Sequence, residues 1–547
     1  MRRVKNIFNS FTQKERLVFY GAAAIFCLSG IFSVALAFGK ATSLVPAEGG
    51  TYTAGIVGQP VHINPVFAQS PADKALVRMI FSPLTELADK IEPSQNGRGW
   101  KVRLKENLFW SDGERLTSDD VIFTVQKLQD PDSGSPYFSN WQGVVASRAS
   151  QLEVQFNLAA PYALFLENIK ELYPVPKHIF ADVPAVNWRL SDFNLRPVGN
   201  GPYKFSAISK RSDGFIDLYE LTINDRYTEA KPFIENFDIR FFTRKEDALS
   251  AFNSGQIDGL TDIAASELGV ISRPYSNVEF KLPTYYAVFI NQSANLPLQD
   301  ISIRKALYLA TDRAALISGA LSGSGEEVWG PLPPTIPFLP SVGPPNSTSS
   351  PTDILEADGW HIATSGAREK TVKNLTIKLS LELTVPKVAF LEKTADILKD
   401  QWQKAGFDVQ ISPAEVGDEL SQIVKNRKYQ AIIFGYIINP SGDLYSFWHS
   451  SERFYPGLNL SLYGNKTTDQ LIENIRQETD VDKRNSELLD LQGAVINDYP
   501  AVFLYSPSYI YVTDNDLRGA ENSFIADPAD IFGGAKNWYL KTARVFK

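Results

Sequence analysis

The sequence has one cysteine, two methionines and four histidines in 547 residues, and these shortages exclude a good deal. Cys27 lies inside an apolar run, so everything after it lacks a disulfide, a cysteine metal ligand and a thiol nucleophile. The histidines (His62, His178, His361 and His449) are too scattered along the chain to suggest a metal cluster, and only His62 and His449 are candidates to touch a ligand. No HExxH, GxSxG or GxxxxGK occurs, nor a glycine-rich fingerprint between a strand and a helix, so the common signatures of zinc proteases, serine hydrolases and nucleotide binders are missing. Paired carboxylates are frequent in so acidic a chain and identify no glycosidase, whose two acids need a defined spacing across a cleft. Low-complexity sequence is nearly confined to residues 331–352, PLPPTIPFLPSVGPPNSTSSPT, which reads as an extended surface connection.

Positive charge is also short beyond the start. The net charge is -8, but residues 1–40 hold six Lys/Arg against Glu15 alone, leaving 48 bases, 61 acids and a net of -13 in residues 41–547. Such a body repels phosphate backbones and excludes nucleic acid as a partner. Residues 17–38, LVFYGAAAIFCLSGIFSVALAF, are 22 residues without a charge, enough to cross a hydrocarbon core of about 30 Å. The preceding basic segment, residues 1–16, stays cytoplasmic by the positive-inside rule, so the body is extracytoplasmic, in the periplasm or at the cell surface. A cleaved signal peptide is the competing reading, because Ala35-Leu36-Ala37 resembles a cleavage site. The length of the run favours an uncleaved anchor, followed by a linker at residues 39–50.

The remainder, 44% hydrophobic and 12% aromatic overall, is large enough for two or three lobes. Strand-like alternation marks WKVRL, LEVQFNL, DLYELTIN, FDIRFF and VEFKL. Helical spacing marks 73–87 (interrupted by Pro83), 245–253, 303–321, 388–405 and 468–477. This mixture predicts α/β lobes. The stretch NLFWSDGERLTSDDVIFTVQKLQ, residues 107–129, gathers three aspartates. Turn and capping rules nevertheless account for each: Asp112 sits in an Asp-Gly turn, and Asp119 and Asp120 fall in the first turn of a helix capped by Thr117 or Ser118. Binding chemistry is suggested instead by aromatics among turn residues in YFSNW (137–141), VWGPLPP (328–334) and GYIINPSGDLYSFWHSS (435–451).

The stretch at 107–129, followed by RPVGNGPYKF (196–205), AFNSGQIDG (251–259), VFINQSANLPLQDISIRKALYLATDR (288–313), DILEADGW (353–360), WQKAGFDVQI (402–411) and DYPAVFLYSP (498–507), makes an order that resembles the peptide/nickel class of extracellular solute-binding proteins of ABC importers. The resemblance runs from about Gly50 to the C-terminus. It implies a two-lobed α/β flytrap with an extra inserted subdomain, preceded here by one transmembrane helix. Lobe I would comprise residues 51–83, 193–282 and 506–547, the insertion 84–192 and lobe II 283–505. The hinge would lie near 283–289 and 503–506.

The same resemblance implies a monomeric, non-enzymatic binding protein without cofactor or metal, handing a small ligand, above all a short peptide, to a permease and its ATPase. It implies ligand contacts at Asn64, Trp141, Tyr286, Asn291, Trp329, Tyr436, Asn439, Asp443 and Trp448. Peptide-binding members often carry an aspartate for the ligand's ammonium where this chain has Asn439. Either Asp443 takes over that anchor or the ligand is not held by an amine. A tethered sensor or peptide-capturing chaperone on the same fold, and a hydrolase, are the alternatives.

Overall fold

The structure, a computed structural model, describes residues 11–94, 96–345 and 349–546. Two large sheets organise it. The first has seven strands in the order Ser276–Phe280, Tyr509–Thr513, Gly259–Ile263, Thr51–Val57, Asn236–Phe242, Ile216–Ile223 and Tyr203–Lys210. The second has six, Gly325–Glu327, Ala501–Pro507, Thr284–Ile290, Ala431–Ile437, Ser380–Pro386 and Asp408–Ala414. The chain passes between them twice, at residues 281–283 and at Ser508. A four-stranded sheet (Ala88–Pro93, Gly99–Leu104, Glu153–Asn157, Val145–Ser150) lies in the segment between the first and later strands of the seven-stranded sheet.

Sequence explains why these strands sit where they do. TYYAVFI, AIIFGYI and AVFLYSP are continuous apolar runs of β-branched and aromatic residues, suited to strands covered on both faces. They form the centre of one large core, which also takes in Trp402 and Trp448. A separate core is shared by the seven-stranded and four-stranded sheets, so the inserted subdomain is welded to the first lobe while the second lobe is built on its own. The Gly-x-Gly-Pro-Tyr segment contributes to that weld, its Gly199 carbonyl accepting from the Ser111 N–H of the insertion at 2.8 Å, and it also packs closely within the first lobe. A Cβ at Gly199 would lie 2.1 Å from the Ile80 carbonyl oxygen, and the Gly201 N–H donates to that same oxygen at 2.7 Å.

The aspartates of residues 107–129 are structural. The Thr117 N–H donates to Asp120 Oδ2 at 2.8 Å in a capping box, and the Lys177 N–H donates to Asp120 Oδ1 at 3.0 Å. Asp119 faces Arg148 at 3.3 Å, and Asp112 accepts from the Glu114 N–H at 3.1 Å and meets His178 Nε2 at 2.8 Å. Val121, Val125 and Leu128 form the buried stripe beneath.

Three expectations need correction. Residues 39–50 are no free linker: the apolar helix Gln13–Ala41 runs directly into a strand, Thr42–Ala47, paired antiparallel with Lys541–Phe546. The proline-rich connection is irregular but not all at the surface, since residues 331–333, 335 and 336 are buried, and Pro351 opens the helix Pro351–Ala357. The helix of residues 303–321 is two, Ile301–Leu309 and Arg313–Ala320, because Asp312 caps the second by accepting from the Ala315 N–H. Of the basic segment 1–16, residues 1–10 lie outside the described residues, as do 346–348 of the proline-rich connection. Among the described residues one helix, residues 13–34, is long and apolar enough to cross a membrane, and its apolar window is not buried in the fold.

Candidate functional site

Strand direction locates the site. In the second lobe Ser380–Pro386 runs parallel to both Asp408–Ala414 and Ala431–Ile437, so all three end at one edge of the sheet, where Ile437 pairs with Thr284. In the first lobe Thr51–Val57, Asn236–Phe242 and Gly259–Ile263 are also parallel and share a carboxyl edge. Both edges face the crossings at 281–283 and Ser508. Ligands of open α/β sheets bind outside the carboxyl ends of the strands, where loops rather than strands supply the contacts.

A cavity of about 450 Å³ occupies this hinge gap, within the usual range for small-molecule sites. Tyr286, Val388 and Phe390 line it from the second lobe, Asp262 from the first, and Pro507 and Tyr509 from the crossing. Tyr286 and Phe390 meet edge to face with centroids 5.2 Å apart. Gly435, opposite Tyr286 in the ladder, leaves room for its ring; a Cβ there would come within 2.8 Å of it. Burial raises the Tyr286 and Tyr509 hydroxyls above the ordinary phenol range, so both stay neutral and can donate. Asp262 lies within the irregularity between Leu260 and Ile263 and has φ +59°. Burial pushes its carboxyl up, and Lys245 partly opposes that shift.

A second boundary joins the inserted subdomain to the second lobe. Here Asp443 Oδ2 accepts from the Tyr162 hydroxyl at 3.0 Å and lies 3.2 Å from Arg476 Nε, an ion pair rather than an aligned hydrogen bond. The Arg476 guanidinium also stacks over Tyr445 at 4.5 Å and Tyr162 at 5.2 Å. Its carbonyl accepts from the Ala163 N–H at 2.8 Å. Beside this seam lies a cavity of about 710 Å³, bordered by Trp100, Leu164, Phe338, Pro440, Ser441 and Arg484. A gap of about 60 Å³ next to it touches Tyr137, Trp141, Glu167 and Asn439.

The nine sequence candidates therefore separate. Tyr286 lines the hinge cavity, Trp141 and Asn439 border the small gap, and Asp443 is held within the seam. The other five are held inside or against the lobes. Asn64 is 2% exposed and donates to Asn194 Oδ1 while accepting from the Val66 N–H. Asn291 donates to the Arg427 and Tyr429 carbonyls. Tyr436 lies 4.3 Å from both Phe289 and Phe447, its hydroxyl donating to the Leu458 carbonyl. Trp448 is fully buried against Phe503 and Tyr463. Trp329 lies 3.8 Å beneath the buried Arg313 guanidinium and donates to Glu327.

His449 is buried and stacked on Tyr445, and His62 packs edge-on to Phe67, inside the first lobe. Aromatics beside turns thus cap cores as readily as they line clefts. Asp262, Val388 and Phe390 escaped the sequence reading because the topology, rather than any local pattern, brings them together.

Two lobes with separate cores, two chain crossings and a cavity between facing carboxyl edges define a hinged binding protein. The sequence profile of bacterial extracellular solute-binding proteins, family 5 (middle), matches residues 82–454, and the chain belongs to that family. It is 24% identical over 517 residues to the oligopeptide-binding protein AppA of Bacillus subtilis, covering 91% of this chain and 93% of that one. It is 23% identical over 380 residues to the nickel-binding periplasmic protein of Escherichia coli, with 67% and 69% covered. Among solved structures, AppA in complex with a nonapeptide superposes with a TM-score of 0.66 at 24% identity, covering 91% of this chain and all of that one. The substrate-binding protein CtaP of Listeria monocytogenes gives 0.76 at 23% identity, with 90% and 99% covered. At such identities the structures show the shared fold.

Proposed function

We propose that this protein captures a short peptide between its two lobes, outside the cytoplasm, and hands it to an ABC permease and its ATPase. Residues 17–38 anchor it with the N-terminus cytoplasmic, lobe I comprises 51–83, 193–282 and 506–547, the insertion 84–192 and lobe II 283–505. The observation that carries the reading is the hinge cavity, where residues of both lobes line one space. A ligand touching both walls favours the closed form only by its differential affinity for it, and closure changes the surface offered to a permease. Tyr286 encloses the ligand, and Trp141 and Asn439 meet its far end. No bond is made or broken. The relatives named for oligopeptides and for nickel supply the two ligand classes to compare.

The test uses the full-length chain in detergent, screened by thermal shift against short peptides, nickel complexes and oligosaccharides. A peptide that raises the melting temperature in a dose-dependent way is the expected result. A metal or oligosaccharide hit without any peptide hit would overturn the ligand class.

A further inference from the structure

The charged groups along the boundaries of the second lobe differ in one respect. Asp443 is matched by Arg476 and Tyr162. Asp527, on the first-lobe side, is matched by Lys74 at 2.7 Å. Lys245, which lines the hinge cavity, is matched by Glu267 at 2.6 Å. Asp262 lines the same cavity; its carboxylate makes no direct hydrogen bond or ion pair among the described residues, with the Lys245 charge and the Tyr509 hydroxyl nearby. Its backbone is held at φ +59° at a bulge, and a bulge re-aims a side chain that a regular strand would place elsewhere. Unusual backbone of this kind persists where the surroundings impose it and clusters at ligand sites. Across the cavity stand the rings of Tyr286 and Phe390, with Val388 beside them. The net provision is one carboxylate without a direct partner, facing the rings of Tyr286 and Phe390.

We infer that Asp262 determines specificity by holding a cationic group of the ligand, an ammonium or guanidinium, while the ligand's apolar part rests on Tyr286 and Phe390. This rests on the peptide-binding reading above and adds which end of the ligand is recognised and by which lobe. A charge-assisted hydrogen bond from an ammonium would satisfy the carboxylate, and the aromatic faces favour a cation or a hydrocarbon over an anion. Because the anchor belongs to the first lobe and the rings to the second, a cationic ligand engages both walls at once. An anionic ligand would meet the Asp262 carboxylate as a like charge.

The test incubates the full-length protein with an equimolar mixture of di- to tetrapeptides, half with free amines and half with every amine acetylated, and identifies the retained peptides by mass spectrometry. The wild type is expected to retain free-amine peptides at least tenfold over acetylated ones, and Asp262→Asn to lose that preference. Asparagine tolerates left-handed backbone, so equal melting temperatures are expected and serve as the folding check. As a second variant, Asp262→Glu should keep the preference with weaker retention. Equal retention of both classes by the wild type, or a preference that survives in Asp262→Asn and vanishes in Asp443→Asn, overturns the inference and leaves peptide binding standing. Retention of no peptide by the wild type overturns the peptide reading, and this inference with it.

Discussion

The seam between the inserted subdomain and the second lobe has its charges satisfied from within, whereas the hinge cavity between the two lobes does not. At the seam, Asp443, Arg476 and Tyr162 form a closed set, and a backbone bond from Ala163 to Arg476 ties the same surfaces together. At the hinge, rings and one carboxylate face open space. Polar groups matched inside the protein stabilise an interface, while groups left unmatched beside a cavity are available to a partner. The seam therefore holds the molecule together, and the hinge cavity is where recognition resides.

Breaking the seam should give the largest effect. Asp443→Ala leaves the Arg476 guanidinium and the Tyr162 hydroxyl without their acceptor, and should cost about 2 kcal/mol in urea-induced unfolding. The double variant Asp443→Asn/Arg476→Gln removes both charges and should recover part of that loss, since no unpaired charge remains. A seam variant as stable as the wild type would erase the distinction between the two boundaries. Phe390→Ala tests the other side. It removes the ring that meets Tyr286 edge to face, and should weaken ligand binding about tenfold, near 1.4 kcal/mol, with a smaller change in melting temperature. Titration calorimetry with a peptide retained by the wild type measures it, and unchanged affinity would remove Phe390 from the site.

Much of the fold was legible because its signals are local. Alternation in FDIRFF and DLYELTIN and the capped start at Thr117 each depend on a few neighbouring residues. The helix Val481–Asp498 went unread, although its buried Leu488, Leu491 and Val495 are spaced for one face, because polar residues dominate its first turns. The strand Thr42–Ala47 could not be seen either, since its partner lies some 500 residues away and TSLVPA carries no strong pattern of its own. The site was the least legible part. Tyr436 and Trp448 sit among turn residues just as cleft aromatics do, and only packing reveals that they fill a core. Asp262 looks like an ordinary acid in GLTDI until the bulge and the facing lobe are known.

The smallest expected effect sharpens the comparison by separating an unmatched carboxylate that serves a ligand from one that serves nothing. Asp238 pairs across the ladder with Glu220, a like charge, and its carboxyl is pushed up to about 6, first by burial and then by Glu220 and Asp258. It lies on the seven-stranded sheet toward the end away from the hinge and borders neither the hinge cavity nor the seam. Because its folded-state pKa lies above the unfolded one, folding is favoured most below about pH 4, and that contribution is lost as pH rises to about 6. Asp238→Asn should therefore be more stable than the wild type at pH 7 by about 1 kcal/mol, well under the full conversion of the shift because the group is half-exposed and solvent screens it. The advantage should disappear below about pH 4, and peptide retention should be unchanged at every pH. Unfolding curves between pH 4 and 8 measure the first, and the acetylation screen measures the second. If Asp238→Asn altered peptide selection as Asp262→Asn is expected to, general acidity of the first lobe, rather than a carboxylate placed at the cavity wall, would set the preference.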